Sequence, residues 1–214
     1  MESCRRDNTD NRFDDCFYSA VRINSGSNCQ IINNNCTNIG EVALYAEFSF
    51  NGVIINNNLV DLAGAGISIA NLNEEGHLVV CKGNLLRNLT LRPTQIGDDD
   101  PRAFGIAAEA DALIEGNIIE NATNFGIGGG YGEFQRNIMV NNNMIKDCGY
   151  GITPSVAQNA GKMTISNNSI NNATKGAIIG FEWEDATTKD LVNDDQKFGE
   201  GSYDNLHISN NVLS

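Results

Sequence analysis

The sequence predicts an all-β fold, a single-stranded right-handed parallel β-helix of about seven coils. Three observations predict it: a column of asparagines recurring at solenoid spacing, apolar positions locked to that column, and a "GI" dipeptide recurring between the asparagines. Repeats of this length, built from short strands, fit a parallel solenoid in which like residues stack about 4.8 Å apart.

Seven asparagines set the register: Asn35, Asn58, Asn84, Asn117, Asn143, Asn168 and Asn211. Three residues before them stand Ile32, Ile55, Cys81, Ile114, Val140, Ile165 and Ile208, and two residues after stand Thr37, Val60, Leu86, Ile119, Ile145, Ile170 and Leu213. Asparagine or glycine precedes each one, as at Asn57, Gly83, Gly116 and Asn142. The spacings of 23, 26, 33, 26, 25 and 43 are single turns, the long ones carrying insertions. Asparagine suits a tight turn because it tolerates the left-handed conformation, and glycine before it adopts that conformation more freely. Stacked amides also bond to each other and to main chain along the axis. The "GI" strand starts at Gly66-Ile67, Gly105-Ile106, Gly126-Ile127 and Gly151-Ile152, with looser versions at Ala43-Leu44 and Ala177-Ile178. Apolar residues alternate within these pieces, a strand period and not a helical one. A leucine-rich repeat also uses an asparagine column, but its leucine spacing is missing.

In chain order, residues 1–15 form a polar segment or cap, and residues 16–214 the β-helix domain. Insertions fall at 89–104 ("LTLRPTQIGDDDPRAF") and 181–204, both flanking the "GI" strand. Cys148 shares a small corner slot with Ala63, Ala122 and Ala173, which reads as a packing thiol. At "HISNNVLS" no cap is visible, so either the second insertion folds over that edge or molecules associate end to end there.

The net charge of −13 argues against nucleic acid, whose phosphates need cations, and against anionic membrane surfaces. No apolar run approaches the roughly 18 residues that span a bilayer. Arg5 and Arg6 are followed by no apolar stretch, so the N-terminus is not a signal peptide as it stands. Six cysteines without a CxxC and only two histidines make a zinc site a poor fit. Cys81 and Cys148 read as buried thiols, whereas Cys29 with Cys36, or Cys4 with Cys16, can pair in an oxidising compartment.

With the repeats in register, "GNLLRNL", "GIAAEADALIEGNIIENA", "KGAIIGFEW" and "LHISNNVLS" are similar to the twin-arginine-translocated repeat-containing proteins. These are a bacterial β-helical family in the pectate-lyase-like superfamily. The resemblance runs from about residue 20 to the end and implies export, hence a periplasmic or extracellular home. It supplies no catalytic residues.

In β-helices of the pectate-lyase type the substrate lies along one sheet, and by that analogy the site belongs on the "GI" strand. Residues one and three after the first apolar residue should face outward: Tyr45 and Glu47, Ser68 and Ala70, Ala107 and Glu109, Gly128 and Gly130, Thr153 and Ser155. Glu47 and Glu109 share a column two coils apart, roughly 9–10 Å, near the upper limit for an inverting acid/base pair. The plainer reading is of two solvated carboxylates. Tyr131 and Trp183 lie just beyond the strand, where aromatic faces can stack on sugars or anchor loops. Arg92, Arg102 and Arg136 can pair with acidic sugars, or simply neutralise acidic neighbours. Asp98, Asp99 and Asp100 with Asp111 can gather calcium, the one candidate cofactor, although a solvated acidic loop is the simpler account. No P-loop, GxSxG or HExxH signature is present. The leading expectation is therefore a secreted β-helix that contacts polysaccharide, as a binding module or as a lyase- or hydrolase-like enzyme. The alternative is a structural solenoid that self-associates or joins an envelope partner.

Overall fold

The computed structural model describes residues 7–71, 76–92, 103–192 and 203–214. The chain is 67% strand and winds into a parallel β-solenoid of about six turns. It begins with β1 (Asp7–Thr9), β2 (Arg12–Asp14), β3 (Val21–Asn24), β4 (Ser27–Ile32) and the long β5 (Asn35–Glu47). β6 (Asn51–Asn56), β7 (Leu59–Ala70), β8 (His77–Lys82), β9 (Leu85–Leu89) and β10 (Ile106–Ala108) follow. Next come β11 (Ala112–Glu115), β12 (Ile118–Ala122), β13 (Phe125–Gly129), β14 (Ile138–Asn141) and β15 (Met144–Pro154). The chain closes with β16 (Met163–Ser166), β17 (Ser169–Glu182), β18 (Asp185–Asp190), β19 (Leu206–Ser209) and β20 (Val212–Leu213). One sheet is eight-stranded, in the order β1-β4-β6-β8-β11-β14-β16-β19. The second sheet wraps the other two faces, because β5, β7, β15 and β17 each run across a corner. The turn number is below the seven expected because the end rungs are partial: β1 and β2 have three residues each, and β19 and β20 cover two faces.

The "GI" register is as the sequence predicts. Val21 pairs with Leu44, Leu44 with Ile67, Ile67 with Ile106, Ile106 with Ile127, Ile127 with Ile152, and Ile152 with Ile178. From Leu44 onward every member of this column is fully buried. Burying such side chains at about 25 cal/mol per Å² is the main source of cohesion between rungs. Cys148 stacks on Ala173 and is 2% exposed, as a packing thiol should be, but the corner slot is not uniformly small, since Ile39 and Leu89 pair with Ala63 in the same column. Burial pushes the Cys36 and Cys81 thiols up to about 12 and the Cys148 thiol up to about 11. All five cysteines among the described residues are free thiols.

The asparagine column differs from expectation in two respects. Its first member is Asn34, not Asn35: the Asn34 N–H and Nδ2 both donate to Asn58 Oδ1, at 2.9 and 3.0 Å, whereas Asn35 is exposed. The core residues flanking that turn are accordingly Ile31 and Cys36, both 0% exposed, instead of Ile32 and Thr37. Three consecutive asparagines hide a one-residue slip, and burial resolves it. Second, the left-handed residue is the one before the column, namely Asn33, Asn57, Gly83, Gly116, Asn142, Asn167 and Asn210. The column asparagine itself is a buried connector. Asn117, for example, donates its N–H and Nδ2 to Asn143 Oδ1 at 2.9 and 3.0 Å and its Nδ2 to the Cys81 carbonyl at 3.1 Å, while its Oδ1 accepts the same pair from Asn84. Asn11, within the predicted polar segment, starts the ladder by donating to Asn34 Oδ1.

A second set of left-handed corners lies on the opposite side of the second face, at Asp15, Asn38, Leu62, Asn88, Asn121, Asp147 and Asn172. Its polar side chains bond between rungs: Asn88 Nδ2 to Asp61 Oδ1 at 2.8 Å, Asn121 Nδ2 to Asn88 Oδ1 at 3.0 Å, and Asn172 Nδ2 to Asp147 Oδ1 at 2.7 Å. At the C-terminal end β18 folds back antiparallel on β17, so part of the second insertion covers the edge of the last "GI" strand, whereas β19 and β20, the "HISNNVLS" strands, pair among the described residues only with β16 and β17.

Candidate functional site

A groove of about 580 Å³ lies over the "GI" face, where the sequence places the site, and its size falls within the ordinary range for ligand clefts. Its floor is made of outward-facing small residues, Ser68, Ala70, Ala107, Gly128 and Gly130, which follow from the alternation of β7, β10 and β13. One wall is Phe104, Phe125 and Tyr150. Each precedes a "GI" dipeptide, so the register lines them up: Phe125 pairs with Tyr150, and the Phe104 and Phe125 rings stack 5.1 Å apart at 4°. Tyr131 and Trp183, beyond the end of the strand, form a second wall, and Phe181 meets the Tyr150 ring edge-on at 5.2 Å.

Trp183 sits at the tip of the β17–β18 hairpin, where Glu182 pairs with Asp185 across a two-residue turn. Its φ is 57°, a left-handed conformation that a bulky side chain adopts only at a cost of about 1–2 kcal/mol. It is nevertheless 46% exposed. Its ring meets Tyr131 edge-on at 5.2 Å and Phe134 at 6.1 Å. Gly132 lies against this ring: a Cβ there would come within 2.3 Å of it, so a side chain at 132 would displace Trp183. Gln135 holds the turn beneath, accepting from the Ser155 N–H at 2.8 Å and donating to the Gly161 carbonyl at 2.7 Å. Ser155 Oγ adds a bond to the Gly132 carbonyl at 2.7 Å. The exposed aromatic thus rests on a rigid, hydrogen-bonded base.

The structure treats the two column carboxylates differently. Glu109 lines the groove, and its Oε2 accepts a hydrogen bond from the Asn71 N–H. Burial pushes its carboxyl up to about 7, opposed by that hydrogen bond and by the charge of Arg136. Glu47 is 5% exposed and clamped by Arg22, with Nε to Oε1 at 2.6 Å and Nη2 to Oε2 at 2.8 Å. The Arg22 guanidinium also lies 4.9 Å over the Tyr45 ring, so Tyr45 faces the groove while Glu47 does not line it. Glu47 and Glu109 share the predicted column, since Tyr45 pairs with Ser68 and Ala107 with Ser68, yet one groove does not hold both.

The remaining candidates lie elsewhere. Arg92 donates to Asn38 Oδ1 at 2.7 Å, on the second set of corners. Arg136 is held by Asp111, Nε to Oδ2 at 3.2 Å, and Asp111 also accepts from Asn137 Nδ2 at 2.9 Å. Asp111 lies by the eight-stranded face, away from the groove, and its pairing with arginine is that of a structural carboxylate. Arg102, Asp98, Asp99 and Asp100 fall outside the described residues. Among the described residues no three His, Cys, Asp or Glu side chains gather as a metal site. No helix among them is long and apolar enough to cross a membrane. The aromatic wall was the missed feature, although its signal is present as Phe104-Gly105-Ile106, Phe125-Gly126-Ile127 and Tyr150-Gly151-Ile152. Comparison with protein-family models, curated proteins and solved structures returns no match.

Proposed function

We propose that this protein is an exported carbohydrate-binding module that lays a glycan chain along the "GI" face. The observation that carries the reading is Trp183, a large aromatic held exposed in a left-handed hairpin position over a floor of small residues. Backbone strain of this kind persists where a function requires it. Aromatic rings on two walls match the apolar faces of sugar rings, and small floor residues leave room for them. The resemblance to the twin-arginine-translocated repeat-containing proteins supports export to a periplasmic or extracellular space. Clamping of Glu47 keeps it out of the groove that holds Glu109, which counts against the Glu47–Glu109 acid/base pair.

The test is a panel of soluble glycans scored by calorimetry and for new reducing ends. Binding without cleavage, weakened roughly 3- to 10-fold in Trp183→Ala, is the expected result. Cleavage lost in Glu109→Gln would place the protein among the glycan-active enzymes, and silence on every glycan would remove the proposal.

A second reading, an assembling solenoid, has its own observation. The outward column Ile54, Val80, Leu113 and Met139 forms an apolar stripe on the eight-stranded face, next to Leu78, which is 60% exposed. Sedimentation that shifts with concentration and reverts in Leu113→Glu would support that reading.

A further inference from the structure

We infer that the groove selects by charge, taking glycans without carboxylates and turning away uronate chains. The inference rests on the glycan-binding reading and adds a substrate class to it. Glu109, Glu184 and Asp185 line the groove, against one cation among the described lining residues, Lys175. The Lys175 ammonium stands 5.1 Å over the Tyr150 ring, engaged with a wall aromatic. The neighbouring arginines are committed: Arg22 to Glu47, Arg136 to Asp111, and Arg92 to the second corner.

A uronate carboxylate entering here meets the Glu184 and Asp185 carboxylates and loses water without gaining a bidentate partner, which is unfavourable on both counts. The whole chain, at −13, repels it on approach as well. An uncharged hexose escapes both costs and keeps the aromatic contacts with Tyr131, Trp183 and the Phe104–Phe125 pair. Glu109 then serves as a polar partner at the floor for a sugar hydroxyl.

The experiment measures Kd at physiological ionic strength for three matched probes: a neutral xylo- or cello-hexaose, hexagalacturonate, and cationic hexaglucosamine. The same titrations are repeated on Glu184→Gln/Asp185→Asn, both exposed positions on the hairpin, with thermal melting as the fold control. The expected result is weakest binding of hexagalacturonate among the three probes, with hexagalacturonate gaining roughly 2- to 5-fold per carboxylate removed. Binding of hexagalacturonate as tightly as either other probe by the unmodified protein overturns the charge selection while leaving glycan binding standing. Failure of all three probes together with a full neutral and charged panel overturns glycan binding itself.

Discussion

A buried asparagine in this solenoid is worth the groups that depend on it. Removing the Asn117 side chain strands the Asn84 N–H and takes one acceptor from Asn84 Nδ2, which keeps the Ile55 carbonyl; Asn143 Oδ1 keeps the Asn117 N–H and loses its Nδ2, and the Cys81 carbonyl loses a donor. With about 1–3 kcal/mol for each buried group left unsatisfied, Asn117→Ala should cost at least about 2 kcal/mol. Asn35→Ala, at the exposed neighbour that the repeat pattern first selects, should stay within about 0.5 kcal/mol. Urea unfolding of the two variants separates the registers, and equal losses would reject the Asn34 assignment. Glu109 supplies a pH test at the same scale. Its folded value of about 7 exceeds the ordinary 4.5, so the native state holds the proton more tightly than the unfolded chain. The stabilising contribution is complete below about pH 4.5 and is lost as pH rises through about 7, amounting to about 3 kcal/mol. Wild-type stability should fall relative to Glu109→Gln across that window, and parallel pH profiles would contradict the burial of this carboxyl.

Elements here are set by corners as much as by strands. Leu62 occupies a left-handed corner that asparagine or aspartate fills in the neighbouring rungs, and it is 44% exposed. Leu62→Asn should therefore raise stability by about 1 kcal/mol, read as a higher urea midpoint at unchanged slope. The β17–β18 hairpin depends on Asp190, whose carboxylate accepts from the Ala177 N–H at 2.6 Å and from the Ile178 and Val192 N–H groups at 3.2 Å. Asp190→Ala should release β18, speed hydrogen exchange at Ala177 and Ile178, and weaken glycan binding by loosening Trp183. Unchanged exchange at those two amides would show that β18 is held by other contacts. The corners also explain what the sequence made legible. The "GI" column could be read because buried Ile and Leu recur where no polar residue can substitute. The slot before each ladder asparagine could be read because from Asn34 onward only Asn or Gly fills it. The slip at Asn34 could not, since in a run of three asparagines identity carries no register and only burial does. The aromatic wall escaped because Phe104, Phe125 and Tyr150 lie 21 and 25 residues apart in sequence; only pairing across rungs turns them into one surface. The fate of Glu47 was hidden for a similar reason, its partner Arg22 lying one rung away in space and 25 residues away in sequence.

At the scale of the whole molecule the three faces do different work on one spine. The eight-stranded face carries an apolar stripe, the second face alternates Asp61, Arg87, Glu120 and Lys146 across rungs, and the third holds the groove. The Arg87–Asp61 and Lys146–Glu120 pairs, at 2.8 and 2.9 Å, are exposed and so align rungs more than they stabilise them. Each rung bonds only to its neighbours, so stability is a sum of nearest-neighbour interfaces and openings start at the ends. The ladder amides should report this directly: slowest exchange at Asn84 and Asn117, with two or more rungs on either side, and faster exchange at Asn34 and Asn168, nearer the ends. Breaking the ladder in the middle should then differ in kind from breaking it near an end. Asn117→Ala divides the stack and should broaden unfolding into two transitions, whereas Asn168→Ala should shed the last rung and leave the main transition cooperative. Native-state hydrogen exchange read by mass spectrometry, together with urea melts of both variants, distinguishes the two. Uniform protection along the ladder and a single sharp transition in Asn117→Ala would mean that coupling runs through all rungs at once, and that the solenoid behaves as one cooperative core.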